Sequence, residues 1–273
     1  METRNNYKQI AKEIRRISLI MAHHAKSSHS GGALSMADLL TVLYSSFLHI
    51  SPKTVDDPMR DRFLLSKGHC CASLYATLAI YGFLDKKELC ENYGKDGTVY
   101  FSHVSHKLNG VEMSSGSLGH GLPVACGIAL NGKLRQQDYN TYVLTGDGEL
   151  DEGSCWEAIM FAAHQKLNHL CLIVDYNKIQ SLGNVKDICD LSPLADKFKA
   201  FNWNVTEIDG HNYEAIEKAF LTFKNNTLNS LFPTAIIANT IKGKGVSYME
   251  NELLWHYRNP NDEQLKQALE ELA

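Results

Sequence analysis

Two short segments hold the residues best suited to chemistry. The first is Gly146-Asp147-Gly148-Glu149-Leu150-Asp151-Glu152-Gly153. The second, Asp175-Tyr176-Asn177-Lys178-Ile179, follows after one helical stretch and one apolar run. Magnesium wants octahedral oxygen ligands, usually takes one or two carboxylates, and completes its shell with phosphate oxygens and water. One carboxylate (Asp147), one amide oxygen (Asn177) and a main-chain carbonyl near Ile179 would leave positions for a diphosphate. Gly146 and Gly148 let the backbone approach closely, and the helix that follows points its N-terminus towards the anion. Gly-Asp-Gly alone is also a common turn sequence. The Asn177 partner, one unit later, distinguishes this one.

The elements that must position these residues are legible from pattern. Tyr142-Val143-Leu144-Thr145 and Leu170-Cys171-Leu172-Ile173-Val174 are short, apolar and β-favouring, as buried parallel strands are. Between them, Glu152 to Leu167 carries Trp156, Ile159, Met160, Ala163 and Leu167 at helical spacing, completing a β-α-β unit. A right-handed crossover ends both strands on one edge, so Asp147 and Asn177 are expected side by side at the carboxyl ends. Elsewhere the spacing predicts helices over 7–26, 36–48, 70–81, 118–134 and 213–223, and strands over 62–65, 205–208 and 234–238. Ser35 is a plausible cap for the second helix, with Asp38 three residues on as a weak capping-box variant. Residues 91–117, rich in Gly, Ser, His and Asn, predict a long functional loop. No internal repeat or linker appears, which predicts one α/β domain over 1–273, a parallel sheet flanked by helices with a helical N-terminal segment and a C-terminal helix.

The paired segments resemble the thiamine diphosphate fingerprint, which begins with Gly-Asp-Gly and ends in an asparagine roughly thirty residues on. Further segments extend the resemblance: Ser27-Ser28-His29-Ser30-Gly31-Gly32, Leu65-Ser66-Lys67-Gly68-His69, Gly110-Val111-Glu112, Gly116-Ser117-Leu118-Gly119, Thr240-Ile241-Lys242-Gly243-Lys244-Gly245 and Trp255-His256. Their order is that of transketolases, and together they cover about residues 8–262. The chain therefore resembles the N-terminal, diphosphate-binding half of a transketolase. Such enzymes transfer a two-carbon ketol unit from a ketose to an aldose, with thiamine diphosphate as electron sink.

The resemblance implies roles residue by residue. Asp147, Asn177 and the Ile179 carbonyl would hold Mg2+, for which Ca2+ or Mn2+ can substitute. His69, Gly116, Ser117, Leu118, Gly146, Gly148, Glu149, Lys242 and His256 join them in binding the cofactor. Gly116 and Leu118 would meet the cofactor ring through backbone groups, where a side chain at Gly116 would intrude. His29, His69, His103 and His256 would line the channel and handle protons and developing alkoxides. His103 is preferred to His106 on its spacing to Gly110 alone. The other histidines, His23, His24, His49, His164 and His169 among them, carry no such motif. Glu152 is open between a link across a dimer and a carboxylate favoured by a helix N-terminus. Lys242 is open between facing the diphosphate and being a solvated loop lysine.

Transketolases take the glutamate that activates the cofactor from a second domain, and this sequence runs only to Ala273. The expectation is a split enzyme whose separate C-terminal subunit supplies the pyrimidine-binding domain and its glutamate, in an α2β2 assembly acting on sugar substrates. His120 where glutamine is usual, and Ser30 where proline is common, are departures that leave the donor sugar open, phosphorylated or not. Alternatives are a deoxyxylulose-phosphate synthase-like subunit, a 2-oxo acid dehydrogenase alpha-like subunit, a transketolase-like enzyme of a specialised sugar pathway, or a non-catalytic interaction subunit. A nicotinamide enzyme is disfavoured because no Gly-x-Gly-x-x-Gly follows a strand.

Composition sets the remaining bounds. The formal charge of −4 with mixed signs gives no basic stripe for nucleic acid. No apolar run approaches the ~18 residues that span a bilayer. The polar start Met1-Glu2-Thr3-Arg4-Asn5-Asn6 lacks a signal-peptide core, so a cytoplasmic location without membrane association is expected. Seven cysteines, an odd number without Cys-x-x-Cys spacing, predict reduced, packed thiols.

Overall fold

A computed structural model of the chain describes residues 2–273, with side chains from Asn6. Met1 and the side chains of residues 2–5, within the polar start noted above, lie outside the described residues. The strands are β1 Arg62–Leu65, β2 Thr141–Gly146, β3 Leu170–Tyr176, β4 Ile179–Gln180, β5 Gly183–Asn184, β6 Asn204–Asp209 and β7 Thr234–Asn239. The helices are α1 Glu2–His24, α2 Ser30–Ser35, α3 Ala37–Val42, α4 Cys71–Ile80, α5 Lys86–Asn92 and α6 Gly121–Leu134. They continue with α7 Gly153–His164, α8 Val185–Ile188, α9 Leu194–Ala200, α10 Tyr213–Asn229 and α11 Asp262–Glu271.

Five strands form one parallel sheet in the order β1-β2-β3-β7-β6, and β4 and β5 make a small antiparallel hairpin. A strand buried on both faces must be apolar at successive positions, and alternate residues then feed two cores. Phe63, Leu65, Tyr142, Leu144, Cys171, Ile173, Ile236 and Ala238 pack on one side with α1, α3, α4 and α10. Leu64, Val143, Leu172, Val174, Ala235 and Ile237 pack on the other with α6, α7 and α9. On α10 the buried residues Ile216, Ala219, Phe220 and Phe223 fall on one helical stripe.

The strand expectations hold to within one or two residues. The second helix differs. It runs as α3 and then a π-helical turn, Leu43–Phe47, and its cap is Met36 with no side-chain capping bond. Ser35 and Asp38 are drawn away by buried partners. The Ser35 hydroxyl donates to the Gly32 carbonyl and to Asp175 Oδ2, 2.5 Å away, while Asp38 pairs with Arg15 at 2.6 Å. The helix α5 lies just before the expected loop; its cap, Asp85, accepts from the Glu88 amide at 2.7 Å. Residues 93–120 contain no helix or strand, as the loop reading requires. Five of the seven cysteines are buried and all are free. Among the described residues no helix is long and apolar enough to cross a membrane.

Candidate active site

The β2–β3 register pairs Gly146 with Asp175, so both strands end at the same height on adjacent tracks. Asp147 leaves β2 at that edge and is buried. Its Oδ1 accepts from the Gly148 amide at 2.8 Å, and its Oδ2 accepts from the Lys178 amide at 2.5 Å. One carboxylate thus ties together the two turns that follow β2 and β3. Burial, then the nearby Asp175 charge, pushes the Asp147 carboxyl up to about 6. A cation beside it would relieve that cost.

Asn177 is oriented from both ends of its amide. Its Oδ1 accepts from the Ile179 amide at 3.2 Å, and its Nδ2 donates to Asp175 Oδ2 at 3.4 Å. The Ile179 carbonyl accepts from Lys242 Nζ at 3.2 Å, and the same ammonium lies 3.1 Å from His256 Nδ1. The three expected metal ligands are therefore gathered at one strand edge, with a buried cation already on one of them. Burial, then the Lys67 charge, lowers the Lys242 pKa.

The residue that organises this edge is Asp175, whose role the sequence pattern did not disclose. It is fully buried and takes hydrogen bonds from Ser35 Oγ, Lys67 Nζ, Thr240 Oγ1 and Asn177 Nδ2. Lys67, itself 2% exposed, sits 2.5 Å from Asp175 Oδ2 and donates also to the Gly32 carbonyl at 3.1 Å. Burial alone would raise the Asp175 carboxyl and lower the Lys67 ammonium; their mutual attraction outweighs it for both, so the pair is ionised. The available signal was a lysine two residues beyond β1 and an acid at the apolar end of β3, polar types on an edge where two buried strands stop.

Glu149 plays a comparable part. Its Oε1 accepts from Ser66 Oγ and, at 2.9 Å, from the Gly119 amide; its Oε2 accepts from the Gly146 amide at 3.3 Å. Burial raises its pKa. It joins the ends of β1 and β2 to the loop before α6.

Above this edge lies a cavity of about 260 Å³. Its lining includes Asp147, Asn177, Ile179, Gly116, Leu118, Gly146, Gly148, Glu149 and Lys242, together with His29, His69, His103 and His256. Gly32, Lys67, Gln180 and Ser181 complete it, four residues not foreseen from sequence. A methyl added at Gly146 would meet nothing within 4 Å, and one at Gly116 would meet only His103 Cδ2 at 3.7 Å, so the intrusion expected at Gly116 is not against this chain's own atoms. Ser117 is exposed and outside the lining. His106 is exposed too, its Nδ1 2.8 Å from Ser114 Oγ, whereas His103 faces the cavity.

The four imidazoles cluster. The His29 ring lies 5.0 Å from that of His69, 5.9 Å from His103 and 5.1 Å from His256, and His69 and His256 are 5.7 Å apart. His29 holds its place through a left-handed backbone at φ 72° before α2 and an amide bond to the His256 carbonyl at 3.1 Å. Burial is the main cause lowering three of these pKa values: His29 to about 4, His69 to about 2 and His256 to about 3. The charges of Lys67 and Lys242 add to it for each of the three. They are neutral at pH 7, each able to donate from one nitrogen and accept at the other. Among the described residues no group of three or more His, Cys, Asp or Glu is arranged to hold a metal, which leaves these imidazoles to hydrogen bonding and proton transfer.

Comparison with known proteins assigns the chain. A family model described as "Transketolase, thiamine diphosphate binding domain" matches residues 6–272. The chain belongs to the transketolase family, as its thiamine diphosphate-binding domain. A transketolase of Campylobacter jejuni superposes with a TM-score of 0.91 at 33% identity, over 98% of this chain and 43% of that one. The chain thus spans about two fifths of that single-chain transketolase. Two relatives are similar over nearly their whole length. One, from Phocaeicola vulgatus, is named as the A chain of a two-part enzyme, an apulose-4-phosphate transketolase, and is 39% identical over 93% of this chain and 89% of its own. A 6-deoxy-6-sulfo-D-fructose transketolase subunit of a Clostridium species is 40% identical over 96% and 94%.

The departures within this transketolase domain are conformationally mild. Ser30 is the first residue of α2, where proline fits elsewhere because the amide has no helical partner to lose. His120 precedes α6, is exposed, and turns Nδ1 back to the Leu118 carbonyl at 3.0 Å, outside the cavity lining. Glu152 precedes α7 exposed and without a side-chain capping bond, so the local-cap reading has no hydrogen bond behind it.

Proposed function

We propose that residues 1–273 act as one domain forming the diphosphate-binding half of a two-chain transketolase. The observation that carries this reading is the convergence, in one cavity at one strand edge, of the Asp147, Asn177 and Ile179 oxygens with four histidines and two buried lysines. The donor set fits a magnesium-bound diphosphate: two side-chain oxygens and a carbonyl suit a hard cation that leaves the rest of its shell to phosphate and water. Lys67 and Lys242 give the local positive potential a diphosphate needs within a chain of net charge −4. When bound, thiamine diphosphate supplies an electron sink for breaking and making a carbon-carbon bond.

This chain's own groups would then do the following. Asp147, Asn177 and the Ile179 carbonyl hold Mg2+, and Lys242 shifts from that carbonyl towards the phosphates. His29, His69, His103 and His256 hold the ketose hydroxyls and move protons to and from its oxygens, acting as neutral donors and acceptors. A complementary C-terminal subunit supplies the acid that activates the cofactor, in an α2β2 assembly; relatives of this length being named as subunits supports it. Those relatives are named for apulose 4-phosphate and 6-deoxy-6-sulfo-D-fructose, which favours a specialised ketose as donor here.

The test is reconstitution. The chain is assayed with thiamine diphosphate, Mg2+, ketose donors and an aldehyde acceptor, alone and with the subunit encoded beside it. Two-carbon transfer only in the mixture is expected. Full transfer by the chain alone would refute the split, and carbon dioxide release from pyruvate would point to another class of thiamine enzyme.

A further inference from the structure

A second histidine system lies behind the cavity and touches none of its lining directly. His211 follows β6 through Gly210, a turn so close to β7 that a methyl at Gly210 would come 2.5 Å from Thr240 Cγ2. The ring is nearly enclosed, its side chain 12% exposed. Its Nδ1 is 2.7 Å from Asp38 Oδ2, and its Nε2 is 2.8 Å from the amide nitrogen of Ile241. That amide begins the Ile241-Lys242-Gly243 turn at the site.

The hydrogens on this ring follow from its partners. A main-chain N–H can only donate, so Nε2 must present its lone pair to Ile241. Asp38 is buried, and although burial opposes its charge, Arg15 and His211 hold its carboxyl far below the usual range. An ionised carboxylate can only accept, so Nδ1 must carry the proton. His211 is therefore a neutral imidazole in one tautomer. Asp38 is itself fixed by Arg15 Nη2 at 2.6 Å and by the Tyr213 hydroxyl at 2.7 Å. A rigid chain thus runs from α1 and α3 through the ring to one backbone amide.

What that amide positions is the site lysine. Thr240 is anchored through its hydroxyl to Asp175, Ile241 through its amide to His211, and the Lys242 carbonyl accepts from Asn251. Lys242 then extends its ammonium to the Ile179 carbonyl and His256. Removing the Ile241 anchor orphans a partly buried N–H and frees the turn that aims Lys242. We propose that His211 is a positioning residue: through Asp38 it holds the Ile241 amide and so fixes where Lys242 meets the cofactor phosphates, as supporting groups behind metal ligands fix the ligands they touch. The part of this concerning the phosphates rests on the function proposed above.

Two substitutions separate this role from mere packing. His211→Gln places an amide oxygen near the position of Nε2 and can still accept from Ile241, but loses Asp38. His211→Asn can still donate to Asp38 from near the Nδ1 position, but is too short for Ile241. The full chain, with its partner subunit where the two co-purify, is followed by hydrogen-deuterium exchange of the segment 240–246 and by calorimetric titration with thiamine diphosphate and Mg2+. His211→Asn should speed exchange in that segment and weaken affinity about tenfold; His211→Gln should stay within about threefold of the parent in both. Equal effects, or Asn outperforming Gln, would overturn the proposal. Exchange needs no cofactor, so it judges the anchor even if the chain does not bind thiamine diphosphate at all. Should a variant fail to fold, nitrogen-15 shifts of His211 in the parent protein decide: a proton on Nδ1 and a bare Nε2 at neutral pH are required, and the opposite tautomer or a doubly protonated ring refutes it.

Discussion

The histidine cluster makes a physical commitment at the scale of single residues. Bringing His29, His69 and His256 together beside Lys67 and Lys242 favours their neutral forms so strongly that each is lowered well below the ordinary value of about 6.5. Below pH 6.5 the unfolded chain takes up protons on these rings that the folded chain refuses. Stability from this source is thus fully present above about pH 6.5 and is lost as pH falls towards 4. The melting temperature of the cofactor-free protein should decline steadily from pH 6.5 to pH 4.5. His29→Gln, which removes one of the three titrations, should make that decline shallower. A melting temperature flat across the interval would mean that the rings are not shielded as the geometry requires.

Elements meet at the carboxyl edge of the sheet, and their closeness is enforced by small residues. Gly121 opens α6 against the end of β1: its amide donates to Ser66 Oγ at 3.0 Å, and a methyl there would lie 2.4 Å from Ser66 Cβ and 2.8 Å from Ser66 Cα. Gly121→Ala should therefore cost about 1–3 kcal/mol through forced separation of helix and strand. On the same helix Gly127 faces open space, and Gly127→Ala should be neutral or stabilising by up to about 1 kcal/mol from helix propensity. Thermal denaturation of the two variants checks both signs, and equal effects would contradict the packing account. The same scale shows what a sequence discloses. Buried strands advertise themselves because both faces must be apolar, so β2, β3 and β7 were legible almost to the residue, and with them the meeting of Asp147 and Asn177. The four motif histidines were legible through resemblance, and the cavity gathers them. The Ser35 and Asp38 cap was misread because a polar residue before a helix looks alike whether it serves the helix or a distant partner; Asp175 and Arg15 are 140 and 23 residues away from them. Lys67 and His211 were silent for the same reason, their partners being set by tertiary packing. The helix α5 was overlooked although Asp85 followed by Glu88 carried a capping signal.

For the whole molecule, the account joins a parallel sheet, its two packed faces and a cavity at one edge in a single role, that of anchoring the diphosphate end of a cofactor whose activating acid comes from elsewhere. The relatives named as subunits have this chain's length, and the single-chain transketolase continues well beyond it. Anchoring precedes every catalytic demand, so it can be examined without knowing the sugars. The decisive measurement is calorimetric titration of thiamine diphosphate into the protein, with its partner where present, in Mg2+ and in chelator, for the parent and for Asp147→Ala. Binding should require the metal and vanish in Asp147→Ala while the far-ultraviolet circular dichroism is unchanged, since a strand-edge ligand contributes little to the core. Equal binding in chelator, or undiminished binding by Asp147→Ala, would contradict the account.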